Sequence, residues 1–181
     1  MRILAMLLLI GFATGQPADS LRLTEKQARQ KIASSRKNGQ VGGSFDLRVT
    51  STDRSYNYKL RATWITSEVA GAAARILMLA RGLSAEQALA AIPPLDSNKT
   101  YVLVEIDPRE GSGVIPRNWT AQFKQAPGTV LADTEWRDFL SAFPRDYAYD
   151  IFLLAFPASS TGEAELTVRI YDKVGRVQWQ R

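Results

Sequence analysis

The chain has 181 residues, of which 45% are hydrophobic, a net charge of +5, and neither cysteine nor histidine. This length fits one domain with a sizeable core. The absent residue types exclude disulfides, a Ser-His-Asp triad, a Cys-His pair and the usual protein sites for zinc, iron, copper and haem.

The first residues have the pattern of a cleavable secretory signal peptide over positions 1–15. Arg2 supplies the positive start, residues 3–12 are an uncharged apolar run, and Ala13 and Gly15 are the small residues before a cleavage site. The run is too short to span a bilayer, which needs about 20 residues. We therefore expect a bacterial protein, secreted or periplasmic, whose mature chain has no transmembrane segment.

Residues 16–43 are interpreted as a polar lead-in that contains one basic helix. Thr24 and Gln27 have the spacing of a capping box, which predicts a helix that runs to about Lys37. The apolar face of this helix is thin, so whether it docks on the domain stays open. The Asn38-Gly39 pair then breaks the chain.

Two alternating segments, 45–50 and 56–65, predict an antiparallel hairpin with one face in water. Arg48, Lys59 and Arg61 fall on that wet face, and the N-terminal half of the mature chain carries 12 basic against 6 acidic side chains. The three cations are therefore a candidate basic patch for an anionic partner. An ordinary solvated surface is the alternative.

Helices and further strands follow in blocks. Caps at Thr66 or Ser67 and at Ser84 predict two helices that end at Arg81 and at Pro93. Further strands are predicted over 101–107, 119–124, 151–156, 165–170 and 176–181, with a short helix over about 133–143. The strand 101–107 is mostly apolar on both faces, which predicts a central position in the sheet.

This order of elements predicts an α+β fold. It is expected to be a mainly antiparallel β-sheet or β-sandwich of about seven strands, with two or three inserted helices. The strict alternation of strand and helix that a parallel sheet needs is missing. Residues 44–181 are expected to form one globular β-rich domain.

Three carboxylates, Glu105, Asp107 and Glu110, cluster at the end of the central strand. They are candidate ligands for a hard cation such as calcium, although their spacing matches no calcium loop. A second interpretation is a carboxylate pair for glycan hydrolysis, formed by Glu105 with Asp107 or Asp150, in which one acid is protonated. The third is a polar strand end with a salt bridge to Arg109 or another cation.

The sequence favours an exported, non-catalytic domain that binds a protein partner or a polyanionic envelope surface. Nucleic acid is not expected as a partner, because the basic residues do not alternate with stacking aromatics. No cofactor is expected apart from calcium in the metal interpretation. Two alternatives are a carboxylate-dependent glycan hydrolase and an assembly subunit that adds its terminal strand, 176–181, to a partner's sheet.

Overall fold

The computed structural model describes residues 17–43, 57–93, 95, 98–109, 112–158 and 163–179. Within this part of the chain there are five helices and nine strands. The helices are α1 (Pro17–Ser20), α2 (Glu25–Ser35), α3 (Ser67–Arg81), α4 (Ala85–Ala90) and α5 (Arg137–Leu140). The strands are β1 (Arg36–Val41), β2 (Tyr58–Ile65), β3 (Thr100–Asp107), β4 (Thr120–Phe123), β5 (Ala126–Pro127), β6 (Thr129–Val130), β7 (Asp150–Phe156), β8 (Ala164–Ile170) and β9 (Lys173–Trp179).

The nine strands form one antiparallel sheet in the order β5-β4-β8-β9-β1-β2-β3-β7-β6. Its two end strands, β5 and β6, are separated in the chain by Gly128 alone. The Gly128 amide donates to the Ala121 carbonyl of β4 at 2.9 Å, and β6 pairs with β7. The sheet therefore curls until its two ends meet.

The expected α+β class with antiparallel pairing is confirmed, whereas the strand count and the sandwich are wrong. A sandwich has two separate sheets, but here β9 pairs with β1 and joins both halves into one sheet. The count rises partly because β5 and β6 have two residues each. Strands this short have no alternation that a sequence pattern can reveal.

Two apolar cores lie on opposite faces of the sheet. The inner core fills the curled sheet and includes Trp64, Phe123 and Trp179, whose rings contact one another. The outer core lies between the other face of β2, β3 and β7 and the helices, and it contains Leu103 together with apolar residues of α3. Every residue of β3 is buried, which confirms that this strand is central.

Local hydrogen bonds start the three longer helices at the predicted caps. Thr24 and Gln27 form the expected capping box of α2, and Thr66 accepts the amide of Val69 at the start of α3. The α2 helix is docked, because Ala28 and Ile32 are both buried in the outer core. In the described part of the chain no helix has both the length and the apolar character to cross a membrane.

Strand β1 is the main difference from the predicted order of elements. The expected helix to Lys37 ends at Ser35, and the chain continues directly into β1, where Asn38-Gly39 was expected to break it. A Cβ at Gly39 would lie 2.9 Å from the Val177 side chain, so this glycine permits close packing of β1 on β9. The glycine that resembled a chain break is therefore part of a strand.

The hairpin partner of β2 is β1. Both edges of β2 are occupied, by β1 on one side and by β3 on the other. The predicted pairing of β2 with a strand over 45–50 is therefore wrong, and residues 44–56 themselves lie outside the described residues. The alternation of residues 45–50 is typical of a strand, but a local pattern does not determine which strand pairs with which.

Candidate functional site

Four predicted site residues lie side by side on two neighbouring strands. The register of β2 and β3 places Lys59 opposite Asp107 and Arg61 opposite Glu105. Because side chains alternate along a strand, all four point to the outer face, away from Leu60 in the inner core. The described members of the predicted basic patch and of the predicted metal site therefore share one surface.

The helices cover only one end of this outer face. Ile65, Tyr101 and Leu103 lie beneath them in the outer core. The opposite end carries the charged side chains, which we call the ion-pair cluster. Its members are Arg36, Lys59, Arg61, Glu105, Asp107, Arg109, Asp146 and Tyr149.

Glu105 is held by an arginine from a distant part of the sequence. Its carboxylate is 2% exposed and accepts two hydrogen bonds from Arg36, one from Nε at 2.8 Å and one from Nη2. Such two-point contacts are the strong form of an ion pair. Arg36 reaches this position because β1 begins directly after α2, on the far side of β2.

Asp107 is held by Arg109, two residues further along the chain. Arg109 donates from Nη2 to Oδ2 at 2.7 Å, from Nε to Oδ1 at 2.9 Å and from its backbone amide to Oδ1 at 3.0 Å. These bonds favour the charged carboxylate and lower the pKa of Asp107 despite its burial, with a smaller contribution from Lys59. The contact confirms the expected salt bridge to Arg109.

Arg61 points towards the loop before β7. Its Nη1 lies 3.1 Å from Oδ2 of Asp146, and its guanidinium carbon lies 3.8 Å above the centre of the Tyr149 ring. The Ala148 amide bonds the other carboxylate oxygen of Asp146 at 3.2 Å. This bond and then Arg61, with a weaker contribution from Arg109, lower the pKa of Asp146.

Exposure separates the two acidic side chains of β3 from Arg109 and Lys59. The side chains of Glu105 and Asp107 are 2% and 1% exposed, whereas that of Arg109 is 67% exposed and Lys59 is exposed as well. Two buried carboxylates thus lie beneath arginines, and cations form much of the accessible surface. Asp146, whose side chain is 44% exposed, adds one accessible negative charge against those of Lys59 and Arg109, so positive charge is in excess at this surface.

Arg48 and Glu110 lie outside the described residues, so their part in the basic patch and the metal site stays a prediction. Glu105 and Asp107 have arginine donors where a cation would be bound. Among the described residues no group of three or more His, Cys, Asp or Glu side chains has the proximity to hold a metal ion. The calcium interpretation therefore stays a prediction from sequence.

Asp150 lies on the other face of the sheet from the two buried carboxylates. It is opposite Ile106 in the register of β3 and β7, and Ile106 belongs to the inner core. Side chains opposite each other share a face, so Asp150 points away from Glu105 and Asp107. It does not form a carboxylate pair with either.

A shallow cleft of about 280 Å³ lies elsewhere, on β4 and β8 and the turn after β4. Its lining is polar and consists of Gln122, Lys124, Gln125, Glu165 and Thr167. The single carboxylate there, Glu165, accepts a hydrogen bond from Gln178 at 2.7 Å. One carboxylate does not supply an acid and a base, so this cleft adds no candidate for glycan hydrolysis.

Sequence reasoning missed three members of the ion-pair cluster, Arg36, Asp146 and Tyr149. Arg36 is 69 residues from Glu105 in the sequence, and Asp146 is 85 residues from Arg61. Only the antiparallel register brings these residues together. The one available signal was the isolated polar turn around Asp146 between two apolar segments, and such turns are common.

Comparison of the chain with protein-family models, with curated proteins and with solved structures gives no match.

Proposed function

We propose that this protein is an exported, non-catalytic domain that binds a partner bearing acidic groups. The proposed binding surface is the outer face of β2 and β3 around Lys59, Arg61 and Arg109. One observation carries the proposal: the acidic side chains of β3 are buried and bound by arginines, while cations remain accessible. An acidic partner meets compatible charge at this surface.

The lowered pKa of Asp107 favours a binding function over glycan hydrolysis. A glycan hydrolase needs one carboxylic acid that stays protonated near neutral pH, which requires a raised pKa. Arg109 has the opposite effect, because it lowers the pKa of Asp107. Asp107 is therefore a poor general acid.

The position of β9 weighs against strand addition through residues 176–181. β9 lies between β8 and β1 rather than at an end of the sheet. Trp179 is 6% exposed, and its Nε1 donates to the Ser35 carbonyl at 3.0 Å. β9 is paired with β8 along its length and bridged to β1 at Gly175, so it is not an end strand of the kind that strand addition uses.

Binding of labelled poly-L-glutamate to the purified protein tests the proposal by fluorescence anisotropy. We expect Lys59→Gln and Arg109→Gln each to weaken binding severalfold, and rising salt to weaken it further, because the contacts are between exposed charges. Arg48→Gln tests the predicted third cation in the same assay. A melting curve for each variant checks that it is folded.

Arg176→Gln is the matched control. Its side chain is 68% exposed, against 67% for Arg109, and it also lies near one carboxylate, but on β9. Equal loss of binding in the Arg176 and Arg109 variants would indicate a response to net charge alone. That result, or folded variants of Lys59 and Arg109 with unchanged binding, would contradict the proposed surface.

A further inference from the structure

Tyr147 lies in the loop that joins the ion-pair cluster to β7, and its side chain is almost wholly in water. It is 98% exposed, the highest value among the exposed large hydrophobic residues of the described chain. Single exposed hydrophobic residues are common and need no function. The residues around Tyr147 indicate that its exposure has a function.

The turn that carries Tyr147 is fixed by its neighbours. The Tyr149 amide donates to the Asp146 carbonyl at 3.0 Å, and the Ala148 amide donates to the Asp146 carboxylate at 3.2 Å. Arg61 holds the same carboxylate from β2 at 3.1 Å. The exposed ring thus projects from a backbone that is tied to the sheet.

The residue types around the turn are those that dominate protein interfaces. Tyrosine and arginine are enriched among the residues that contribute most binding energy. Tyrosine offers a large apolar ring with a polar end and loses little side-chain entropy when it is bound. Tyr147 stands on the same turn as Asp146, which binds Arg61, and the charge of Arg109 also acts on Asp146.

The charge distribution favours a protein segment over a lipid or polysaccharide surface. Arg61 is bound by Asp146 and Arg109 by Asp107, so the field of these arginines is partly cancelled at long range. Asp146 is itself 44% exposed and repels a dense array of negative charge. A short acidic segment that contacts Tyr147 and an arginine edge acts at close range and brings fewer negative charges near Asp146 than a dense anionic surface does.

We propose that Tyr147 is the anchor for an acidic protein segment, which lies across the Pro144–Tyr149 turn and places carboxylates against Arg61 and Arg109. The inference rests on the proposed function, and it names the class of partner and the residue that selects it. The tyrosine ring supplies apolar contact, and the arginines supply charge.

A library of random peptides displayed on phage, selected against the purified protein, is the probe. We expect the enriched peptides to be rich in Asp and Glu. Binding of the selected peptides should fall at least tenfold for Tyr147→Ser and for Arg109→Gln. Tyr171→Ser is the matched control, because Tyr171 is also exposed, at 51%, but lies in the turn between β8 and β9.

The outcomes separate this inference from the proposed function. Acidic peptides that need Arg109 and Lys59 but bind the Tyr147 variant normally would overturn the inference and leave the proposed function intact. Enrichment of peptides without acidic residues would overturn both. A third outcome is that no peptide is enriched, while the protein binds phosphatidylglycerol vesicles but not phosphatidylcholine vesicles. This result would identify a lipid surface as the partner and overturn the inference.

Discussion

Arg61 and Glu105 face each other across β2 and β3, yet their observed ion pairs lead in opposite directions. Arg61 reaches Asp146 in the loop before β7, and Glu105 is bound by Arg36 of β1. The first pair is partly exposed and the second is largely buried. The two pairs therefore have different roles, and single substitutions distinguish them.

We expect Arg36→Met to lower the free energy of unfolding by about 3 kcal/mol, because it leaves the buried charge of Glu105 without its partner. Urea denaturation measures this loss. Arg29→Met is the matched control, because its pair with Glu25 is more than half exposed. The control should change stability by less than about 0.5 kcal/mol. Equal effects of the two substitutions would contradict a structural role for the buried pair.

Asp107 makes stability depend on pH in the acidic range. Its pKa in the folded chain lies below the unfolded value of about 3.9. The native state therefore binds fewer protons, so the stabilisation is complete above the unfolded pKa and is lost as the pH falls through the folded pKa. We expect Asp107→Asn to flatten the loss of urea stability in this window. An unchanged slope would mean that other groups determine it.

Asp146 competes with a partner's carboxylate for Arg61. Asp146→Asn removes the negative charge and keeps an oxygen that accepts the Ala148 amide, so the turn is preserved. We expect roughly threefold tighter binding of an acidic peptide, measured by anisotropy. Asp138→Asn is the control, since Asp138 pairs with Arg81 in the helical layer. Weaker binding of the Asp146 variant would show that Asp146 assists the contact.

Gly175 allows β9 to cross close over β1. A Cβ at this position would lie 2.4 Å from the Gln40 carbonyl oxygen, which belongs to the backbone and has little freedom to move. We expect Gly175→Ala to lower the free energy of unfolding by about 2 kcal/mol or more. Gly82→Ala is the comparison: Gly82 has φ +65°, and among the described residues no atom lies within 4 Å of a Cβ placed there, so backbone strain alone should cost about 1 kcal/mol.

Export is tested by the N-terminus of the protein recovered outside the cytoplasm. If residues 1–15 are a signal peptide, sequencing or intact mass should give a chain that begins at Gln16. Leu8→Arg places a charge in the apolar run and should leave an uncleaved chain in the cytoplasm. A mature protein that retains Met1 would refute the signal peptide.

Sequence patterns correctly predicted the elements that are determined by contacts between residues close together in the sequence. The capping boxes of α2 and α4 form between residues three positions apart, so Thr24 with Gln27 and Ser84 with Gln87 identify them from sequence. The apolar character of β3 likewise predicts a buried central strand, because both of its faces must meet a core.

Elements that depend on long-range contacts were missed or misplaced. The sequence of β1 is polar and contains glycine, so it has weak strand propensity, and its pairing with β2 and β9 determines its conformation. The short helix expected over about 133–143 is only α5 in the structure, since the surrounding turns have no sustained helical periodicity.

The candidate site divides in the same way. The sequence alone identified Lys59, Arg61, Glu105 and Asp107 as chemically important types at strand positions, because period-two alternation fixes which residues share a face. Only the tertiary structure determines that these four residues form one cluster. It also determines that Glu105 pairs with Arg36 and that Arg61 pairs with Asp146. Strand register and sheet closure depend on packing between segments that are distant in the sequence, so a local sequence pattern does not predict them.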